Sequence, residues 1–218
     1  MLIQPDKLRK LLIVVFSALF LLLAIQIRFN MLFMHVIDNG ASLVIQNLIP
    51  HSLQYWISFG GLFTHYWILV PAMALVSSSL YFMNYKIAMW WFIVTQVLAM
   101  ILALTISVIL KIHWLSGPKL GPTIPNILLV LWLQILAIAA VIIMPRLVKN
   151  RRIRQAVTIV TIMLWLLMLM ACIQRNDMPF SSGLGSLFFG YFWWQLSEQQ
   201  YRKRAKHWRH VLEIDTLI

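Results

Sequence analysis

The chain has 218 residues, of which 61% are hydrophobic and only 11% are charged, and its formal net charge is +12. This composition excludes an ordinary soluble domain and is typical of a polytopic membrane protein, for which lipid is the solvent over most of the surface. The basic residues lie between apolar segments, so their excess indicates retention on one side of a membrane and not a nucleic-acid partner. A single cysteine, Cys172, excludes an internal disulfide.

Six apolar segments are candidates to cross a hydrocarbon core about 30 Å thick as helices. Pro145 predicts the end of the fourth segment, and the sixth is short but rich in aromatic residues that suit a membrane interface. In chain order the segments are residues 11–27, 61–84, 87–110, 127–144, 156–172 and 184–196. With a basic tail at 197–218, they predict one all-α polytopic membrane domain spanning residues 1–218.

The connection between the first and second segments, residues 28–60, is the longest. Its apolar part, 31–49, is interrupted by polar side chains that include Asp38 and the pair Asn39-Gly40. It is therefore too polar to span a membrane easily. We predict an amphipathic helix that lies in the interface, breaks at Asn39-Gly40 and ends at Pro50. A re-entrant pair of helices is the alternative.

The distribution of basic residues predicts the orientation of the helices. Fourteen of the 18 lysines and arginines lie in the N-terminal segment, the second and fourth connections and the C-terminal tail. The other four, which lie in the alternate connections, are Arg28, Lys111, Lys119 and Arg175. Because cytoplasmic loops are enriched in basic residues, we expect both termini to be cytoplasmic in a multi-pass protein of the plasma membrane.

The outer connection 111–126 contains the first candidate site residues. Lys111 ends the third predicted helix and is followed closely by His113, with Lys119 further along a turn rich in glycine and proline. One interpretation is interfacial anchoring, in which a lysine snorkels to the membrane surface. The other is that these cations meet a phosphate headgroup, which makes Lys111 and Lys119 candidate phosphate ligands.

The outer connection 173–183 contains Arg175 and Asp177. These residues are either a solvated loop tip, or Asp177 pairs with Arg175, Lys111 or His113 across the mouth of the bundle. Lys111, His113, Arg175 and Asp177 are therefore the candidate catalytic residues, and Arg175 is the third candidate phosphate ligand. No histidine pair has metal-ligand spacing supported by other ligands, so we predict neither a metal nor another cofactor.

The layout of these segments resembles the type 2 phosphatidic-acid phosphatase family. Shared features are six helices with both ends inside, an amphipathic segment after the first helix and outer loops after helices three and five. The stretch WISFGGLFTHYWILVP, at 56–71, is similar to the family's entry into its second helix. The resemblance implies a fold that acts on lipid phosphates and diphosphates, including undecaprenyl diphosphate, at the outer membrane surface.

The family's first two motifs are matched only in part. The first is a lysine, six residues and then Arg-Pro; Lys111 matches the lysine, whereas Pro118 and Lys119 follow at the other end. The second is Pro-Ser-Gly-His at the start of helix four. The stretch that aligns with it ends in Pro125, where the family has histidine.

The third family motif is Ser-Arg, five residues, His, three residues and Asp, with glycines four and eight residues later. On this chain Cys172 stands at the arginine position, Met178 at the histidine position and Ser182 at the aspartate position. The resemblance implies that this histidine attacks phosphorus and that the aspartate orients it. A methionine cannot accept the phosphoryl group, and Pro125 cannot protonate a leaving group.

The resemblance therefore identifies a degenerate member of the family that lacks the catalytic histidines. We predict an integral membrane protein that is catalytically inactive and binds a lipid phosphate or a membrane partner. One alternative is a divergent, active lipid phosphatase with a shifted site at the outer face. Another is a non-enzymatic transporter subunit or assembly factor. Membrane lipids are the expected partners, and the sequence identifies no protein partner.

Overall fold

The computed structural model describes residues 9–29, 31–47, 49–110, 124–175 and 177–211. This part of the chain is helical and contains no β-strand. Its helices, numbered in chain order, are α1 (Arg9–Arg28), α2 (Leu32–Asn47), α3 (His51–Leu62), α4 (Tyr66–Phe82), α5 (Lys86–Leu110), α6 (Ile127–Leu147), α7 (Arg151–Gln174) and α8 (Phe180–Val211).

Four of these helices are long and apolar enough to cross a membrane, namely α1, α5, α6 and α7. Helices α3 and α4 together make a fifth candidate span, bent by 67° at the break between them. Large apolar side chains cover the outside of the bundle; Trp67 is 89% exposed and Phe82 is 80% exposed. Because such a surface is stable only against lipid, the predicted class, an all-α membrane protein, is confirmed.

Helix α8 lies at the centre of the bundle and contacts α1, α2, α5 and α6. Its first turns are made of small residues, which allow neighbouring helices to approach closely. Ser181, Ser182 and Ser186 are almost completely buried, and a Cβ atom at Gly183 would lie 2.1 Å from Leu169 Cδ1. This helix is longer at both ends than the predicted segment 184–196. At its N-terminal end, the additional residues include serines that are buried with the core.

The predicted second helix, 61–84, is interrupted in the structure. Helix α3 ends at Leu62, and α4 begins only at Tyr66. Thr64 Oγ1 donates to the carbonyl oxygen of Gly61 at 2.7 Å, and Arg175 Nη1 lies 3.4 Å from the same oxygen and 3.3 Å from Thr64 Oγ1. These contacts give hydrogen-bond partners to the carbonyl group of Gly61 at the end of α3, where the helical hydrogen bonds stop.

The predicted break at Asn39-Gly40 is wrong, because α2 runs without interruption from Leu32 to Asn47. A glycine within a helix costs only about 1 kcal/mol relative to alanine. The buried side chain of Asp38, which fixes α2 against α8, outweighs that cost. The predicted stop at Pro145 is also wrong. A π-helical stretch at Ala139–Ile143 precedes the proline, and the helix continues to Leu147.

Close packing of α3 on α7 makes Gly60 sensitive to substitution. A Cβ atom at Gly60 would lie 2.7 Å from the carbonyl carbon of Leu167 and 2.8 Å from its Cβ. Because backbone cannot move aside as a flexible side chain can, we expect Gly60→Ala to lower the free energy of unfolding by about 1–3 kcal/mol. Thermal unfolding in detergent micelles measures the change.

Gly40→Ala is the matched control, since a Cβ atom at Gly40 would meet nothing within 4 Å. We expect this substitution in the middle of α2 to raise the free energy of unfolding by about 0.5–1 kcal/mol, through the lower backbone entropy of alanine in the unfolded chain. Equal shifts for the two variants would show that α3 and α7 do not approach as closely as described.

Candidate functional site

The start of α6 meets the segment that leads into α8, and the contact is centred on Asn126. The side-chain oxygen of Asn126 accepts a hydrogen bond from the backbone N–H of Leu129 at 3.3 Å and so caps α6. Its side-chain amide donates to Met178 Sδ at 3.4 Å. We call residues 124–126 together with 175 and 177–186 the α6–α8 junction. An asparagine directly before an apolar run is a helix-start signal, and the sequence interpretation did not use it.

Ser186 makes a second connection within the α6–α8 junction. Its hydroxyl oxygen accepts from the backbone N–H of Asn126 at 2.8 Å, and the hydroxyl donates to the carbonyl oxygen of Ser182 at 2.7 Å. The aligned motif has a glycine at position 186, so a residue expected only to leave space instead ties two helices together. The junction is thus a hydrogen-bonded unit and not merely a close approach of two helices.

Four of the positions at which the chain departs from the phosphatase motifs, those where the family has a histidine, an arginine or an aspartate in its second and third motifs, are buried. Met178 is 1% exposed, Ser182 is 0% exposed and Cys172 is 5% exposed, and Pro125 is among the fully buried side chains. Asn126 brings the Pro125 and Met178 positions together, as the resemblance implies for the second and third motifs. Of these four side chains, none is a carboxylate or an imidazole, so they supply no general acid or base of the expected kind.

A buried carboxylate joins α2 to the first turn of α8. Asp38 accepts a hydrogen bond from the backbone N–H of Ser181 at 2.7 Å and another from the Ser181 hydroxyl at 2.8 Å. Burial raises the pKa of Asp38, while the hydrogen bonds from Ser181 and the charge interaction with His35 act in the opposite direction. An aspartate in an apolar segment is a sequence signal for a buried polar contact. The partner, however, is 143 residues away.

Arg175 and Asp177 follow the end of α7. The backbone N–H of Arg175 donates to the carbonyl oxygen of Ala171, and that of Asp177 donates to Cys172. The Arg175 side chain is exposed, and its Nη1 atom contacts the turn between α3 and α4, as described above. Arg175 therefore lies at the edge of the α6–α8 junction and links it to the bent α3–α4 pair.

The remaining candidate residues, Lys111, His113 and Lys119, lie outside the described residues. The start of α6 is brought together with Met178 and Ser186 through Asn126. The pairing of Asp177 with Arg175, Lys111 or His113 stays a prediction. So do the roles of Lys111 and Lys119 as phosphate ligands.

Comparison with solved structures identifies a protein of the same fold. The chain is similar to a transmembrane PAP2-type phosphatidylglycerolphosphate phosphatase from Bacillus subtilis, solved by crystallography, with a TM-score of 0.71. The two are 14% identical in sequence, and the similarity covers 88% of this chain and 96% of that one. No protein-family model matches the sequence, and no curated protein is detectably similar to it. The fold expected from the resemblance is confirmed.

Proposed function

We propose that this protein is a degenerate relative of the PAP2-type lipid phosphatases, which binds a lipid phosphate at the α6–α8 junction without hydrolysing it. The shared fold supports the class of ligand, because in this resemblance the second and third motifs lie together at a lipid-phosphate site. The contact between Asn126 and Met178 supports the second part of the proposal, that the lipid phosphate is not hydrolysed. Pro125 and Met178 occupy the two positions where the resemblance implies histidines, and the Asn126 amide lies beside them.

The chemistry of phosphate-ester cleavage explains why these side chains would not suffice. The reaction needs a group that attacks phosphorus and another that protonates the leaving oxygen. Met178 offers a neutral thioether already used as a hydrogen-bond acceptor, and Pro125 carries no proton to give. Ser182, at the aspartate position, lies within α8 and has a hydroxyl group in place of a carboxylate. Loss of a nucleophile costs several orders of magnitude in rate, so we expect no turnover.

Arg175 is the described residue best placed to hold a lipid phosphate. Both of its side-chain contacts use Nη1. Within the part of the chain that the structure describes, its Nε and Nη2 atoms have no assigned partner. A guanidinium anchored at one nitrogen presents its other donors in a fixed fork, which suits the oxygens of a phosphate. Lys111 and Lys119 are proposed to add charge to the same mouth.

The proposal includes a topology. The first part of α8 is the sixth membrane span, in addition to the five candidates. Both termini lie in the cytoplasm, and the membrane is the plasma membrane. Helix α8 is surrounded by other helices, so small and polar residues can replace the apolar surface that a lipid-facing helix needs. The basic ends of α1, α7 and α8 support the orientation. On this topology the α6–α8 junction faces outward.

An assay of phosphate release tests the proposal. We expect purified protein to release no phosphate above background from phosphatidylglycerolphosphate, phosphatidic acid or undecaprenyl diphosphate. It should nevertheless retain phosphatidic acid in a binding measurement. Arg175→Gln should weaken that retention by about fivefold or more, the effect of losing roughly 1 kcal/mol of charge-assisted hydrogen bonding.

Arg152→Gln is the matched control, since it also removes one exposed arginine but lies at the opposite end of α7. It should leave the retention of phosphatidic acid unchanged. Turnover that disappears in a His113→Ala variant would replace this proposal by the divergent, active phosphatase with His113, Asp177, Arg175 and Lys111 as its site. If the protein neither retains a lipid phosphate nor turns one over, the remaining hypothesis is a transporter subunit or assembly factor.

A further inference from the structure

A groove lies between the end of α6 and the start of α7, at the opposite end of the bundle from the α6–α8 junction. Its volume is about 650 Å³. Helix α7 has 24 residues, so its two ends are roughly 36 Å apart, more than the thickness of a hydrocarbon core. The groove is therefore a separate feature from the site of the proposed function.

The lining of the groove changes from apolar to cationic. Ala140, Pro145 and Ile159 form its apolar wall. Ala140 belongs to the π-helical stretch of α6, a type of irregularity that frequently occurs at functional positions in helices. Arg151, Arg154 and Gln155 line the polar part, where the chain enters α7.

The cationic part of the groove is not neutralised by acidic side chains. Residues 144–155 include five basic residues and no acidic one. Within the described residues, neither Arg151 nor Arg154 has a carboxylate partner, and the two are three residues apart on a helix, where side chains are neighbours. Arg146 is different, because its guanidinium lies over the Tyr85 ring, 4.3 Å from the ring centroid. The groove therefore concentrates positive charge that another molecule must balance.

We propose that this groove binds one anionic glycerophospholipid from the leaflet on the basic side of the membrane. The phosphate lies against Arg151, Arg154 and the Gln155 amide, and an acyl chain follows the wall made by Ala140, Pro145 and Ile159. Basic pockets between membrane helices are a known form of anionic-lipid site, and two arginines supply forked donors to phosphate oxygens. A soluble phosphate would leave the apolar wall without a partner, which is why a lipid is the better occupant.

Native mass spectrometry of the full chain in detergent tests the proposal, with phosphatidylglycerol as the probe and phosphatidylcholine as the neutral reference. We expect one phosphatidylglycerol to be retained per chain, in preference to phosphatidylcholine. In the double variant Arg151→Gln/Arg154→Gln, its affinity should fall roughly 10- to 30-fold, because two charges near the headgroup are lost. Both residues lie at the surface of a helix, so the variant is expected to fold.

The double variant Lys149→Gln/Arg152→Gln is the matched control, because it removes the same charge from the same connection but outside the groove lining. We expect its affinity for phosphatidylglycerol to stay within about threefold of the unmodified protein. Equal losses in the two double variants would mean general attraction to a basic surface and would overturn the groove site. If glycerol phosphate competes for the groove as effectively as phosphatidylglycerol does, the occupant is not a lipid and the proposal is wrong.

Discussion

Replacing Glu198 by alanine should lower the free energy of unfolding by about 3–5 kcal/mol, because it removes the buried carboxylate that two guanidinium groups contact. Glu198 Oε1 lies 2.7 Å from Arg9 Nη2 and 3.0 Å from Arg202 Nη2. The side chains of these three residues are 6%, 11% and 16% exposed, in that order. The cluster joins the first described turn of α1 to the second half of α8. Thermal or denaturant unfolding in detergent measures the loss.

Two further variants separate the charge effect from general disturbance of α8. Gln199→Ala changes the next residue, which is only half-buried, and should stay within about 0.5 kcal/mol of the unmodified protein. The triple variant Arg9→Met/Glu198→Leu/Arg202→Met removes all the charges together and should recover most of the stability, since apolar residues of similar volume often replace a buried ion cluster without loss. If Glu198→Ala and Gln199→Ala unfold alike, the cluster does not stabilise the bundle.

Replacing Asp38 by alanine should cost about 2–4 kcal/mol of unfolding free energy, since it leaves both Ser181 donors buried without an acceptor. Ser181 is 1% exposed, so water cannot easily take the place of the carboxylate. Asp38→Asn keeps an acceptor oxygen and should cost less. Asp38→Ala combined with Ser181→Ala removes one of the stranded donors, so the pair should cost less than the sum of the single changes. Strict additivity would contradict the contact.

The raised pKa of Asp38 predicts a pH dependence with a definite sign. A carboxyl whose pKa is higher in the folded state binds its proton more tightly there. Its contribution to stability is fully present below its ordinary pKa of 3.8 and is lost as the pH rises through the folded value. The stability advantage of the unmodified protein over Asp38→Asn should therefore shrink as the pH rises above about 4. Repeating the comparison in a His35→Gln background removes one of the interactions that lower the Asp38 pKa.

Hydropathy predicts the long helices because crossing lipid requires a continuous apolar run. The positions of α1, α5, α6 and α7 therefore follow closely from the sequence. Hydropathy does not predict the bend between α3 and α4, because Thr64 and His65 interrupt the apolar run only briefly. The bend depends on contacts from Arg175, which is more than 100 positions away. Local composition carries no trace of such a contact.

The candidate site was predictable in layout and not in detail. The motif comparison singles out the Pro125 and Met178 positions, and the Asn126 side chain, next to Pro125, contacts Met178. It does not reveal Asn126, whose side chain makes the contact, nor the hydrogen bonds of Ser186. Asp38 is apparent in the sequence only as an isolated acid in an apolar segment. Pairing it with Ser181 required knowledge of how α2 and α8 pack.

The central position of α8 also has a consequence for biosynthesis. A ribosome makes the chain from its N-terminus, so α1, α2, α5 and α6 are synthesised before the helix that they surround. Asp38 pairs with Ser181, and Asn126 pairs with Ser186. In both pairs the serine is translated more than 50 residues later, so neither contact can form until α8 has been made. Insertion and final packing are thus separate stages, and the late arrival of α8 converts a loose set of inserted helices into one bundle.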